Sequence, residues 1–201
     1  MKYQLTWSLA FATAFVVTFA SPIQKLLISH SHDSSHQILK AKVKLIAAEN
    51  TDKPPVYGSL FLIETSEGVY VKGKIIGLEP GKHGFHVHEI GDLGNDCVNA
   101  GPHFNPAGNT HGAPNEETRH AGDLGNIETH HVDNSPGTIT VVNQLDKVVT
   151  LDPKADNGIT GRAFVVHALP DDLGLGGDDE SLKTGNAGKR LACGIVEPVN
   201  Y

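Results

Sequence analysis

The chain has 201 residues, which predicts one domain with something appended or two small ones, and its 39% hydrophobic and 19% charged residues are ordinary for a soluble globular protein. Its formal net charge of −7 excludes a general nucleic-acid binder, which carries a basic face. With 22 glycines and 6% aromatics the composition points to strands and long loops, and the 12 histidines stand out because imidazole is the commonest metal ligand.

Residues 1–20 read as a secretory signal. Lys2 starts an apolar run from Leu5 to Ala20, and Ala20 precedes Ser21-Pro22, so cleavage is expected after about Ala20. The run is shorter than the ~20 residues of a membrane span. The mature protein is therefore expected to be secreted and extracellular, with no transmembrane segment. In that compartment two cysteines favour a bridge over two free thiols. Residues 21–38 form a polar leader containing His30, His32 and His36. Its composition reads as a disordered tail. Metal capture by these histidines is the alternative, and it fails if removing residues 21–37 leaves metal loading unchanged.

The domain is expected over 39–201. Leu39, Ala41, Val43 and Leu45 alternate with Lys40, Lys42 and Lys44, the period of a half-buried strand. Val56–Glu64 and Val69–Ile76 repeat the pattern around a turn at Ser66-Glu67-Gly68. A fourth strand, Gly84–Ile90, sets Phe85 and Val87 on one side and His86 and His88 on the other. Weaker strands fall at Asn126–His130, Thr138–Asn143, Ile159–His167 and Leu191–Val196. Eight short antiparallel strands imply an all-β sandwich or barrel. No stretch has a sustained helical period. Two long loops, Gly91–Gly125 and Ala168–Arg190, interrupt the rhythm, and loops of that length are usually functional or disordered.

The histidines fall into a pattern. His86 and His88, at i and i+2 of one strand, can reach a single ion. The first loop carries His103, His111, His120 and Asp123, enough for a closed four-ligand zinc shell. His167, at a strand end, can complete the first pair's site. The zinc-protease motif H-E-x-x-H is absent, because Asp92 stands where its second histidine belongs.

The segments GFHVHE (84–89), GPHFNP (101–106), RHAGDLGN (119–126), VVH (165–167) and GNAGKRLACG (185–194) resemble copper/zinc superoxide dismutase, in order, from about Leu39 to Val199. The HGAP stretch (111–114) is similar to the eukaryotic form. The resemblance implies an eight-stranded antiparallel Greek-key barrel with one copper and one zinc ion per subunit. It implies His86, His88, His103 and His167 on copper, and His103, His111, His120 and Asp123 on zinc, with His103 bridging. It implies a Cys97–Cys193 disulfide, Asp171 joining a copper histidine to a zinc histidine, and His83 supporting the site from behind without binding metal. Arg190 would guide and hold the superoxide anion, with Thr184 as the opposite channel wall and Lys183 and Glu180 at the entrance.

The implied reaction converts two superoxide ions and two protons to oxygen and hydrogen peroxide by Cu(II)/Cu(I) cycling, and His103 would supply a proton. A homodimer is implied through Ile90-Gly91, Ile159–Gly161 and the C-terminus, although Thr160 and Glu197-Pro198 depart from the pattern. His130 and His131 read as surface residues. The competing readings are a dismutase-like copper-binding protein without turnover and a purely structural zinc module. A metal-capture module would add a cysteine-rich motif, and a structural one leaves His86, His88, His167 and Arg190 unexplained.

Overall fold

Lysines alternating with aliphatics make β1 (Lys40–Ala47) a strand with one wet face: Ala41, Val43 and Leu45 are buried while Lys42 and Lys44 are exposed. The computed structural model describes residues 39–49, 54–130 and 138–199. The signal segment, the leader with His30, His32 and His36, and His131 lie outside the described residues; His130 is exposed.

The chain continues through β2 (Tyr57–Thr65), β3 (Gly68–Ile76), β4 (Gly81–His88), β5 (Asp123–Thr129), β6 (Ile139–Asp146), β7 (Ala163–His167) and β8 (Arg190–Ile195), and ends in a two-residue strand, β9 (Glu197–Pro198). The strands pair antiparallel in the order β5-β4-β7-β8-β1-β2-β3-β6, with β9 beside β1. The sheet curls into a nearly closed barrel, and a Thr129–Thr140 hydroxyl contact of 2.5 Å joins β5 to β6. β1 helps to turn the sheet, pairing with β2 through Lys40–Leu45 and with β8 through Ile46 and Ala47.

Inward-facing side chains of all the long strands fill one core. Leu45, Leu60, Leu62, Ile75, Phe85 and Phe164 are fully buried there, and the Phe85 and Phe164 rings pack 5.0 Å apart. Each such side chain contributes about 1.5–3 kcal/mol.

Several boundaries differ from the sequence reading. The strand expected over Ile159–His167 begins only at Ala163. Ile159 to Arg162 form a turn closed by Arg162 N–H donating to Ile159 O at 3.0 Å, with Gly161 at φ 84°, a backbone that L side chains rarely adopt. β4 and β5 start three residues earlier than expected. A four-residue helix, α1 (Ser181–Thr184), punctuates the second loop, too short to leave a period in the sequence. Both sides of β4 from His83 to His88 are buried, because the loops cover the histidine face while the core takes Phe85 and Val87.

The Cys97–Cys193 disulfide ties the first long loop to β8 across 96 positions. Cys97 and the two residues before it, Asn95 and Asp96, all have positive φ, a costly run for non-glycine residues that the bridge holds in place.

Candidate metal centre

Two register shifts aim the site. β4 carries a bulge between Gly84 and His86 against β5, and β7 shifts between Val166 and His167 against β8. Bulges re-aim side chains, and here they flank His86 and His167. His88 pairs with His103 in an isolated antiparallel bridge, which pulls the first loop back over β4. Asp123 opens β5, so the loop's set of His103, His111, His120 and Asp123 ends on a rigid strand.

The buried ligand atoms fall into two groups of four, His86/His88/His103/His167 and His103/His111/His120/Asp123, with the atoms of each within 4.8 Å of one another. His103 belongs to both. In the second group, Asp123 Oδ1 lies 2.8 Å from His103 Nδ1, 3.0 Å from His111 Nδ1 and 3.1 Å from His120 Nδ1. Ligands about 2.0–2.1 Å from a tetrahedral ion stand about 3.3 Å apart, close to these separations. Asp123 Oδ2 turns the other way and accepts backbone N–H bonds from His120 at 2.8 Å and Gly112 at 3.2 Å, which fix the carboxylate. In the first group, His88 Nε2 and His167 Nε2 face each other at 3.3 Å.

The outward nitrogens are occupied. Asp171 bridges the two groups from behind, with Oδ2 at 2.9 Å from His86 Nε2 and Oδ1 at 2.7 Å from His111 Nε2. His88 Nδ1 donates to Gly101 O at 2.8 Å and His167 Nδ1 to Gly188 O at 3.1 Å. These partners put the proton on the outward nitrogen and leave the inward one as a lone pair. Among the described residues, His86 Nδ1, His103 Nε2 and His111 Nδ1 are fully buried without a hydrogen-bond partner. An unsatisfied buried polar atom costs about 1–3 kcal/mol. Three of them aimed inward in two four-donor groups fit metal ions as the missing partners.

Protonation states agree with this. Burial, reinforced by neighbouring histidines, pushes His86 and His88 well below the usual imidazole range, and burial lowers His103 against the pull of Asp123. Burial takes His167 down to about 3. These four rings are therefore neutral, the form in which imidazole can bind a metal ion. Burial opposes ionisation of Asp123, but the close imidazoles of His103, His111 and His120 outweigh it and hold the group far below the carboxylate range. His111, lowered by burial, is raised on balance to about 9 by Asp123 and Asp171.

His88, His103 and His167 open onto a cleft of about 860 Å³ that is also lined by Arg190, Thr184, Lys183 and Glu180. Arg190 is clamped from behind, donating from Nη1 to Cys97 O at 2.6 Å and from Nη2 to Gly101 O at 2.6 Å. The disulfide loop thus positions the guanidinium. Thr184 Oγ1 donates to Glu180 Oε1 at 2.8 Å. His83 lies outside the cleft, with Nδ1 2.9 Å from His167 O and Nε2 2.9 Å from Glu79 O.

A model of the family described as copper/zinc superoxide dismutase (SODC) matches residues 56–196. The chain belongs to the copper/zinc superoxide dismutase family. It is 44% identical over 168 residues to the extracellular superoxide dismutase [Cu-Zn] of Haemonchus contortus, covering 83% of this chain and 88% of that protein.

The sequence reading of this superoxide dismutase missed several groups. Asn126 clamps the Asp171 backbone, donating from Nδ2 to Asp171 O and accepting the Asp171 N–H, both at 2.8 Å. Asp172 gathers Ser181 Oγ at 2.7 Å and Asn186 Nδ2 at 2.8 Å and so braces the second loop. Asn126 stands inside the RHAGDLGN motif, which was its only signal. Gly185 stands in the GNAGKRLACG segment, and a Cβ there would sit 2.0 Å from Asp171 Oδ1, so this close approach requires glycine.

Proposed function

We propose that this superoxide dismutase holds copper with His86, His88, His103 and His167 and zinc with His103, His111, His120 and Asp123, one ion of each per subunit. The single observation that carries the assignment is the shared, buried His103. Its Nδ1 belongs to the group containing a carboxylate, and its partnerless Nε2 belongs to the all-imidazole group beside the cleft. Imidazole suits copper, and three imidazoles with a carboxylate suit zinc. When bound, copper supplies the one-electron chemistry that converts two superoxide ions and two protons to oxygen and hydrogen peroxide, while zinc supplies a fixed charge without redox chemistry.

The chain's own residues do the rest. Arg190 directs an anion to the cleft floor, since a guanidinium has five N–H donors and the loop carbonyls engage only part of the fork. Lys183 adds positive charge at the cleft wall, and Thr184, held by Glu180, forms the wall opposite Arg190. A substrate anion approaches despite the net charge of −7, because low-dielectric walls focus the local field, an effect for which superoxide dismutases are themselves a worked case. His103 lines the cleft, and a proton held at Nε2 can pass to a departing peroxide oxygen. Asp171 and His83 fix ring orientations and bind no metal.

Residues 1–20 direct export, 21–38 form a leader, and 39–201 form the catalytic domain. The extracellular relative supports the export reading. The protein is a homodimer through Ile90-Gly91, Ile159–Gly161 and the C-terminus; Ile90 and Gly161 are exposed, and Gly91 packs against the Gly161 carbonyl. Ile159 itself is fully buried within the chain and supports that surface from below.

Loading metal-free protein with zinc and then Cu(II) tests the ligand assignment. His103→Ala is expected to move the visible copper spectrum and weaken both metals. An unchanged spectrum with full retention of both ions would overturn the shared-ligand reading.

A further inference from the structure

The register of β1, β2, β3 and β6 places four exposed lysines on the outer sheet face, in two rows. Across one row Lys42, Phe61 and Lys72 are register neighbours, and the Lys72 ammonium lies 5.2 Å from the Tyr70 ring centroid. Across the next, Ser59 stands between Lys44 and Lys74, with Val141 beyond. The row after that is apolar, Tyr57, Ile76 and Ile139. Half-buried Lys40 lies at the other end of β1. Among the described residues the one carboxylate on this face is Glu197, 3.4 Å from Lys42 Nζ. The face is thus basic on a protein whose net charge is −7.

It is also unusually apolar for a solvated sheet. Val141 is 67% exposed, Phe61 52% and Tyr57 50%, and a shallow groove of about 790 Å³ runs over Lys42, Lys44, Phe61 and Lys74. Apolar side chains interleaved with lysines mark an interaction surface. None of these residues lines the metal cleft.

We propose that this face docks on an anionic lipid surface. Lysines reach the headgroups while their stems and the aromatic rings settle at the interface. A second copy placed by a two-fold axis would oppose lysine to lysine, because such an interface presents the same patch from both sides. A sulfated polysaccharide would engage the lysines but leave Val141 and Ile139 in water. A lipid surface uses both sets.

The test is co-sedimentation of the full, metal-loaded protein with vesicles of phosphatidylcholine alone and with about one-third phosphatidylglycerol. Binding is expected only to the anionic vesicles and is expected to weaken with salt. Each lysine removed lowers partitioning about fivefold, so Lys42→Gln/Lys44→Gln/Lys74→Gln is expected to lose about a hundredfold. Phe61→Ser/Val141→Ser is expected to lose about tenfold or more. Dismutation by both variants stays unchanged, which reports that they fold. No binding to anionic vesicles overturns the proposal, as does binding that the lysine variant retains. Lysine-dependent binding that is unaffected by Phe61→Ser/Val141→Ser, together with tight heparin binding, overturns it in favour of a polysaccharide partner.

Discussion

Replacing Asp171 by asparagine probes how the two metal groups are coupled. The carboxylate accepts from His86 Nε2 at 2.9 Å and from His111 Nε2 at 2.7 Å, and its side chain is fully buried. Asparagine keeps the shape but offers one acceptor oxygen and an NH2 group with two donors. One of the two imidazole N–H groups must then face an N–H. That ring can escape only by moving its proton to Nδ1, the atom its metal group needs, or by rotating away. A hydrogen bond to a charged group contributes about 1.5–3 kcal/mol, and losing an outer carboxylate behind a metal histidine costs about 10–100-fold in affinity. Asp171→Asn is therefore expected to weaken zinc or copper by about 10–100-fold while the backbone clamp from Asn126 and the disulfide keep the fold. Chelator competition on each metal reads the effect. Affinities for both metals within twofold of the parent would refute the reasoning.

Arg190→Lys removes the fork that grips Cys97 O and Gly101 O while keeping the charge. Dismutation is expected to fall tenfold or more with both metals retained, and full activity would contradict the positioning role. Cys97→Ser opens a link across 96 positions, so urea unfolding should show a loss of about 4–5 kcal/mol by the chain-entropy estimate, and a change under 1 kcal/mol would contradict it. Without metals, stability is expected to fall below about pH 6.5. His86, His88, His103 and His167 are lowered in the folded state, so below that pH the unfolded chain binds protons that the folded chain refuses. His111, raised to about 9, acts oppositely: its contribution grows as pH falls from 9 to about 6.5 and is complete below that, so between pH 7.5 and 5.5 it offsets only part of what the four lowered histidines lose. Urea midpoints of the metal-free protein at pH 7.5 and 5.5 test this, and an equal or higher midpoint at pH 5.5 refutes it.

The barrel was legible where one face of a strand meets water. Lys42 and Lys44 against Val43 and Leu45 announced β1, and the His86/His88 spacing announced two imidazoles on one face of β4. Legibility ended where contacts link distant segments. Asp171 lies 60 positions from His111 and 85 from His86, and only the family resemblance named it. The Asn126–Asp171 clamp spans 45 positions between β5 and the second loop, and nothing local in the sequence encodes it. The sequence pattern extends β7 back to Ile159 because that residue is apolar and buried like a strand residue, yet its burial comes from a turn at Gly161. The basic outer face was written in the alternation of β1 and β3 but appeared only when the register set Phe61 between Lys42 and Lys72.

The central claim is a dismutase built on two ions that share His103. Its most direct test is superoxide dismutation by the protein starting at Ser21, with copper and zinc counted on the same sample. The account predicts fast, cyanide-sensitive turnover with about one copper and one zinc per chain, as two four-ligand groups require. A folded protein that holds both metals and does not turn over superoxide would contradict it.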